Sequence, residues 1–172
     1  MKIDKSKYVE IGKVCRYLGE DVCLKLPKIH AVTGCDTTSF FYGISKIRVL
    51  KKLMKDNSKL ELLDSLGEAE TLGPGELSAA SMFVQKVLYN GKENESLVET
   101  RIRLYKSMKT KSSQALPPDP DSMTEAIKRM HFQTYYWLRF NDRIPDEIDY
   151  SKNGWKDESG IVVPIWFTGK YI

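Results

Sequence analysis

The sequence has few of the residues that characterise secreted, metal-binding or membrane-spanning chains. It contains three cysteines and two histidines in 172 residues, and no two cysteines have the CxxC spacing that is typical of zinc sites. No apolar run approaches the roughly 18–20 residues that a membrane-spanning helix needs. The polar, basic start, Met1–Lys7, lacks the apolar segment of a secretory signal. We therefore expect reduced thiols, no membrane partner and an intracellular location, in the nucleus or the cytoplasm.

The net charge is only +4, but the basic residues are concentrated at the N-terminal end. Residues 1–55 contain 12 Lys/Arg against 5 Asp/Glu, whereas the rest of the chain contains 15 against 18. A basic patch suits a phosphate-bearing partner such as nucleic acid. An ordinary solvated surface that is rich in lysine is the alternative.

The spacing of apolar residues predicts a mainly α fold with one or two short strands. The composition, 41% hydrophobic and 29% charged, excludes a disordered chain and a disulfide scaffold. Helices are predicted over Ile11–Leu18, Glu20–Ile29 with a break at Pro27, Ser45–Lys55, Leu60–Leu66, Pro74–Tyr89, Ser96–Met108 and from Asp121–Ser122 to about Phe140. Short strands are predicted over Tyr8–Ile11 and Gly160–Trp166.

A proline-containing segment divides the chain. Residues 109–120 include Pro117, Pro118 and Pro120, which prevent a continuous helix and favour a linker. We therefore expect one part over residues 1–108 and another over residues 121–172, with the latter comprising a helix and a Trp-containing tail. Ser122 and Glu125 have the spacing of a capping box at the start of that helix.

The predicted helix after Ser45 is the strongest candidate for a binding site. Gly43 lets the backbone approach a ligand closely, and Ser45 is a good N-cap whose helix leaves free N–H groups for an anion. The helix then supplies five positive charges, on Lys46, Arg48, Lys51, Lys52 and Lys55. Together these residues suit the phosphates of a nucleic-acid backbone, without reading bases. The alternative is a normally capped amphipathic helix.

The loop Thr33–Ser39 contains a second candidate, Asp36. Its carboxylate could cap the next turn, which we favour, or serve as one ligand of a divalent metal. A nucleophilic pair of Cys35 with His30 is a weaker alternative to a buried, inert thiol. Farther along, the aromatic residues of Phe132–Phe140 could stack on bases, although packing against the tail that contains Trp155 and Trp166 is favoured.

The segment Leu26–Lys52 resembles the end of a PIN-like nuclease domain of the flap-endonuclease type, as found in uncharacterised transposon-associated proteins of animals. The resemblance rests on Leu-Pro-x-Ile-His-Ala-x-Thr-Gly-Cys-Asp-Thr-Thr-Ser followed by a Tyr-Gly-Ile-x-Lys turn and a helix. The tail over Asp121–Trp166, with Gly-Trp-Lys-x-x-x-Gly-x-x-Val-Pro-x-Trp, is also similar to those proteins.

The resemblance implies that Asp36 matches the last metal-ligand carboxylate and that Gly43-Ile44-Ser45 matches a turn that holds the duplex backbone. Ser45 departs from that pattern, in which a second glycine is usual. The upstream carboxylates of the family are absent, so we expect the C-terminal fragment of an α/β PIN-like domain with a helical extension. One carboxylate cannot hold two metal ions, so no Mg²⁺ is expected unless another chain supplies the missing carboxylates.

The sequence therefore predicts a transposon-derived, nuclease-like remnant that binds a nucleic-acid backbone and is not catalytic alone. A helical protein-interaction module, with the aromatic helix and the tail as its contact surface, is the alternative from a different class.

Overall fold

The computed structural model describes residues 10–109, 112–143 and 147–169. The described chain is mainly helical with one small antiparallel sheet, which confirms the predicted class. The α-helices are α1 Ile11–Leu18, α2 Glu20–Leu24, α3 Leu26–Val32, α4 Lys46–Lys55, α5 Pro74–Phe83, α6 Leu97–Ser107 and α7 Pro120–Leu138. Single 3₁₀ turns lie at Leu60–Leu63, Ser113–Ala115 and Tyr150–Lys152, a π turn extends α5 over Val84–Leu88, and the strands are β1 Trp155–Glu158 and β2 Ile161–Pro164.

The helices near the N-terminus begin and end close to where the sequence predicts. The predicted break in Glu20–Ile29 is present, since Lys25 separates α2 from α3 and Pro27 lies in the first turn of α3. Two expectations are wrong in detail. Only Leu60–Leu63 of the predicted helix Leu60–Leu66 forms, as a 3₁₀ turn. Ile11 begins α1 instead of ending a strand, and residues 8 and 9 of that predicted strand lie outside the described residues.

Helix α7 begins one residue earlier than its predicted cap. The carboxylate of Asp119 accepts hydrogen bonds from the backbone N–H groups of Asp121 and Ser122, at 3.1 and 3.0 Å. Pro120 follows as the first helical residue, where its fixed φ suits the helix and its missing N–H costs nothing. The predicted capping box is therefore wrong, and the buried carboxylate of Glu125 pairs instead with Lys128 at 2.7 Å.

One hydrophobic core runs through the described chain, and α7 packs against both α3 and α5. It includes residues from each of these helices and from α4, among them Ile29, Val32, Leu53, Phe83, Ile127 and Met130. The proline-containing segment lies against this core, because the carbonyl of Leu116 accepts from the hydroxyl of Tyr89 at 3.4 Å and that of Pro117 accepts from Arg101. The residues on either side of the segment thus share one core.

The C-terminal strands form a hairpin, with Trp155 opposite Pro164 and Glu158 opposite Ile161. Strand β2 lies within the strand predicted over Gly160–Trp166, whereas β1 was not predicted. Arg129 of α7 fixes the hairpin, since its guanidinium donates to the carbonyls of Gly154 and Ile165 and lies 5.0 Å from the centre of the Trp166 ring. None of the described helices is long and apolar enough to span a bilayer.

Candidate nucleic-acid interface

The start of α4 has the local structure that the sequence predicts. Ser45 caps the helix, with its hydroxyl accepting from the backbone N–H of Arg48 at 3.3 Å. Gly43, two residues earlier, has φ +74, a conformation that side chains disfavour. A Cβ atom at this position would meet nothing within 4 Å, so the turn is open to solvent. The turn and the first N–H groups of α4 are therefore accessible to an anion.

The outer face of α4 borders a shallow groove of about 730 Å³. Arg48, Lys51 and Lys55 line it at positions i, i+3 and i+7, which lie on one side of a helix. Two exposed apolar side chains, Tyr17 of α1 and Ile47 of α4, lie beside them. We call Ser45, Arg48, Lys51 and Lys55 the basic face of α4.

The charges of the basic face have no carboxylate partner in the part of the chain that the structure describes. Within the described ranges, Arg48, Lys51 and Lys55 form no salt bridge, although lysines elsewhere, such as Lys28, Lys86 and Lys128, do. A cluster of exposed, unpaired cations on one helix is a site of positive potential. Such a site attracts anions.

The ammonium groups of the remaining two basic residues of α4, Lys46 and Lys52, have partners within the fold. The Lys52 ammonium lies 2.6 Å from the carbonyl oxygen of Val87 and 2.6 Å from Oδ1 of Asn90. Partial burial and the nearby charge of Arg48 lower the pKa of Lys52. The Lys46 ammonium lies 3.0 Å from Nδ1 of His30. The Lys52 ammonium thus has partners within the fold, although Lys52 also lines the groove, and its predicted contact with phosphate stays a prediction.

The loop that contains Asp36 is held by its neighbour Thr38. The Thr38 hydroxyl donates to the carbonyl of Ala31 at 2.9 Å and accepts from the N–H of Cys35 at 3.1 Å. The exposed Asp36 carboxylate makes no hydrogen bond within the described residues, so the predicted capping of the next turn by Asp36 is wrong, and Thr38 instead ties the loop back to the end of α3. A β-branched hydroxyl with its methyl group suits this buried position better than a charge does.

Asp36 lies in a cleft of about 540 Å³ between its loop and the C-terminal hairpin. Arg129, Trp155 and Trp166 line the opposite side. Among the residues that the structure describes, no three His, Cys, Asp or Glu side chains are placed to hold one metal ion. The described lining of the cleft contains no carboxylate besides that of Asp36.

Cys35 and His30 have separate partners. The Cys35 sulfur lies 3.3 and 3.1 Å from the hydroxyls of Thr37 and Thr38, whereas Nδ1 of His30 faces Lys46. Burial raises the pKa of Cys35, but the hydrogen bonds from the two threonines outweigh it, and the pKa is lowered overall. The structure does not bring the two side chains together as a nucleophile and its base.

The aromatic residues of α7 pack in two directions. Tyr136 faces the tail, where its hydroxyl accepts from the N–H of Ile148 at 3.4 Å. Trp137 instead packs against α3, with its ring 5.2 Å from that of His30. Tyr136 therefore contacts the tail as expected, whereas Trp137 packs against α3.

Sequence reasoning missed an apolar groove of about 590 Å³ between α3, α4 and the end of α7. Its lining includes Leu26, Leu50, Trp137 and Phe140, and the Phe140 side chain is 79% exposed. No local pattern reveals it, because the lining residues come from three helices that are far apart in the sequence.

Comparison of the chain with family models, with curated proteins and with solved structures finds no match. The resemblance to PIN-like domains therefore stays a prediction from the Leu26–Lys52 and Asp121–Trp166 segments.

Proposed function

We propose that the chain binds the sugar-phosphate backbone of nucleic acid, independently of sequence, through the basic face of α4. The observation that carries the proposal is that Arg48, Lys51 and Lys55 project from one side of the helix without carboxylate partners in the described chain. The accessible turn at Gly43 and the capped start of α4 add hydrogen-bond donors beside these charges.

Charge neutralisation supplies the binding energy. Each phosphate that a lysine or arginine neutralises releases condensed counterions, so affinity falls as salt rises. Three such contacts predict a slope of about −2.7 in log K against log salt, or roughly a 40-fold loss between 50 and 200 mM. The proposal assigns Arg48, Lys51 and Lys55 to phosphate groups and includes no base recognition.

We do not propose for the chain alone the metal-dependent nuclease activity that the resemblance to PIN-like domains implies. In two-metal phosphodiester hydrolysis several carboxylates must hold two ions about 4 Å apart. Asp36 supplies one carboxylate, and we infer a nuclease-like remnant without metal-dependent cleavage of its own. Mg²⁺ would bind only with carboxylates from another chain.

The test is binding of the full chain to a short fluorescent duplex, measured by anisotropy at several salt concentrations. The charge-reversing pair Lys51→Glu with Lys55→Glu should lower affinity at least tenfold at low salt and reduce the salt slope by about two. The matched control, Lys106→Glu with Lys109→Glu, makes the same charge change at exposed positions at the end of α6. Equal losses in both pairs would show non-specific attraction and overturn the assignment to α4.

The same samples test the catalytic inference when Mg²⁺ is added. We expect the duplex to remain intact. Cleavage that depends on Mg²⁺ and disappears in Asp36→Asn would contradict the inference, because it would require carboxylates that act together with Asp36.

The apolar groove favours a second candidate function, docking of a protein segment. Its described lining contains the cation Lys46 and no carboxylate, so an amphipathic segment with an acidic residue would complement it. Such binding would depend weakly on salt and would be reduced by Phe140→Ala, a change at an exposed side chain that leaves the core intact. Duplex binding that Phe140→Ala leaves unchanged and that Lys51→Glu with Lys55→Glu weakens at least tenfold would favour the basic face instead.

A further inference from the structure

Two cysteines lie close together where α1 meets α2. Cys15 is on α1, Cys23 is on α2, and the Cys23 sulfur lies 3.8 Å from the backbone carbonyl oxygen of Cys15. Cys15 is exposed and Cys23 is half-buried, so small oxidants reach both thiols. The third cysteine, Cys35, is in a separate loop, where its sulfur contacts the hydroxyls of Thr37 and Thr38.

The two thiols also influence each other electrostatically. Partial burial raises the pKa of Cys23, and a hydrogen bond to Cys15 together with the charge of the Cys15 thiolate raises it further. Because Cys15 is exposed and Cys23 is half-buried, we assign Cys15 as the thiol that an oxidant reaches first.

The helix that carries Cys15 is weakly attached. None of its residues is buried, its main contacts in the described fold are with α2, and Leu18 at its end is only partly packed against the core. The side chains of Ile11 and Tyr17 are 75% and 68% exposed. A helix with so little buried apolar surface has little packing energy to fix its position, and a covalent link would supply that restraint.

We propose that Cys15 and Cys23 form a reversible intramolecular disulfide when a peroxide oxidises the chain, and that this bond fixes α1 against α2. In the first step the Cys15 thiolate attacks one oxygen of hydrogen peroxide, the O–O bond breaks, and a sulfenic acid and hydroxide form. In the second step the Cys23 sulfur attacks the Cys15 sulfur, displaces the sulfenic oxygen and loses its proton, so water leaves. In total two thiols are oxidised by two electrons and one peroxide is reduced to two waters.

The test uses the full chain, hydrogen peroxide in stoichiometric amount, and alkylation of the remaining thiols. Digestion with trypsin without reductant cuts after Lys13, Arg16 and Lys25. We expect mass spectrometry to show the peptide of residues 14–16 linked to that of residues 17–25, with two hydrogens fewer than the separate peptides. Reactive thiols should fall from three to one per chain, and dithiothreitol should restore all three.

Three variants control the assignment. Cys35→Ser should still form the link, whereas Cys15→Ser should form none. Cys23→Ser should accumulate a sulfenic acid on Cys15 that dimedone traps, because the resolving thiol is absent. A link between Cys35 and either other cysteine as the main product, or separate alkylation of Cys15 and Cys23 after oxidation, would overturn the proposal. Neither outcome depends on whether the chain binds nucleic acid.

Discussion

The ammonium group of Lys52 lies 2.6 Å from Oδ1 of Asn90, and the same group lies 2.6 Å from the carbonyl oxygen of Val87. These contacts join α4 to the end of the α5 region. They separate Lys52 from its neighbour Lys51, whose side chain is exposed on the basic face. Two adjacent lysines in the sequence therefore have different roles in the structure.

The first prediction concerns this pair. Lys52→Met should lower the free energy of unfolding by about 1 kcal/mol, because it leaves two acceptors without their charged donor. Lys51→Met should leave stability unchanged and weaken duplex binding. Urea denaturation measures the stability of both variants, and anisotropy measures their duplex binding. A stability loss in Lys51→Met equal to that in Lys52→Met would contradict the different roles of the two lysines.

The second prediction is a loss of stability in mild acid through His131. This side chain is fully buried on α7, and its Nδ1 accepts from the backbone N–H of Gly67 at 3.0 Å. Burial, with a smaller effect from the charge of Arg139, lowers the pKa of His131 below its usual 6.5. The unfolded chain therefore takes up a proton at higher pH than the folded chain does, so the stabilisation is full above 6.5 and declines as the pH falls.

We expect the free energy of unfolding to fall by about 1 kcal/mol between pH 7 and pH 5, since one proton contributes at most about 1.4 kcal/mol per pH unit. His131→Asn keeps an acceptor for Gly67 and should remove most of this dependence. His30→Asn, which replaces an exposed histidine, should retain most of it. If the free energy of unfolding changes equally with pH in the wild type and in His131→Asn, His131 does not cause the loss of stability in acid.

The third prediction concerns Glu95, before α6. Its carboxylate accepts from Nε and Nη2 of Arg103 at 2.6 and 2.8 Å, from Thr100 Oγ1 at 2.9 Å and from the N–H of Lys92 at 3.0 Å. The Arg103 hydrogen bonds, followed by that from Lys92, lower the pKa of Glu95 to about 2. Because the folded-state pKa is depressed, the stabilisation is present above the ordinary value of 4.5 and is lost as the pH falls toward 2.

Glu95→Gln should lower the melting temperature by a few degrees at pH 7. The difference from the wild type should shrink progressively below pH 4.5. Glu93→Gln is the matched control, since Glu93 is 71% exposed and its pairing with Lys86 contributes little. If the difference in melting temperature between Glu95→Gln and the wild type stays constant across this pH range, the stabilisation does not depend on ionised Glu95.

The fourth prediction concerns Gly34 in the Thr33–Ser39 loop. Its φ is +94, and a Cβ atom there would lie 2.6 Å from Cα of Phe40, so a side chain would collide with backbone. Gly34→Ala should therefore cost about 2–4 kcal/mol of folding free energy. Gly160→Ala in the hairpin turn, at φ +83 with no atom within 4 Å, should cost only about 1 kcal/mol. Similar urea midpoints for the two variants would contradict this explanation.

Most of the helices follow from local sequence. Ser45 and the break around Pro27 are recognisable because capping and the loss of a backbone N–H act within a few residues. Neighbouring residues can also compete for the same cap. Asp119, followed by Pro120, caps α7 in place of the predicted Ser122. The composition and periodicity likewise determined a mainly α class, because amphipathic helices need no distant partner to be recognised.

The tertiary structure alone decided which side chains remain available for binding. The sequence placed five basic residues on one helix, but only packing against Val87 and Asn90 directed Lys52 into the fold. Packing likewise buried Thr38, whose hydroxyl ties the Thr33–Ser39 loop to α3, and left Asp36 exposed. These outcomes depend on which distant groups meet a side chain, and the partners become known only when the helices have packed around a common core.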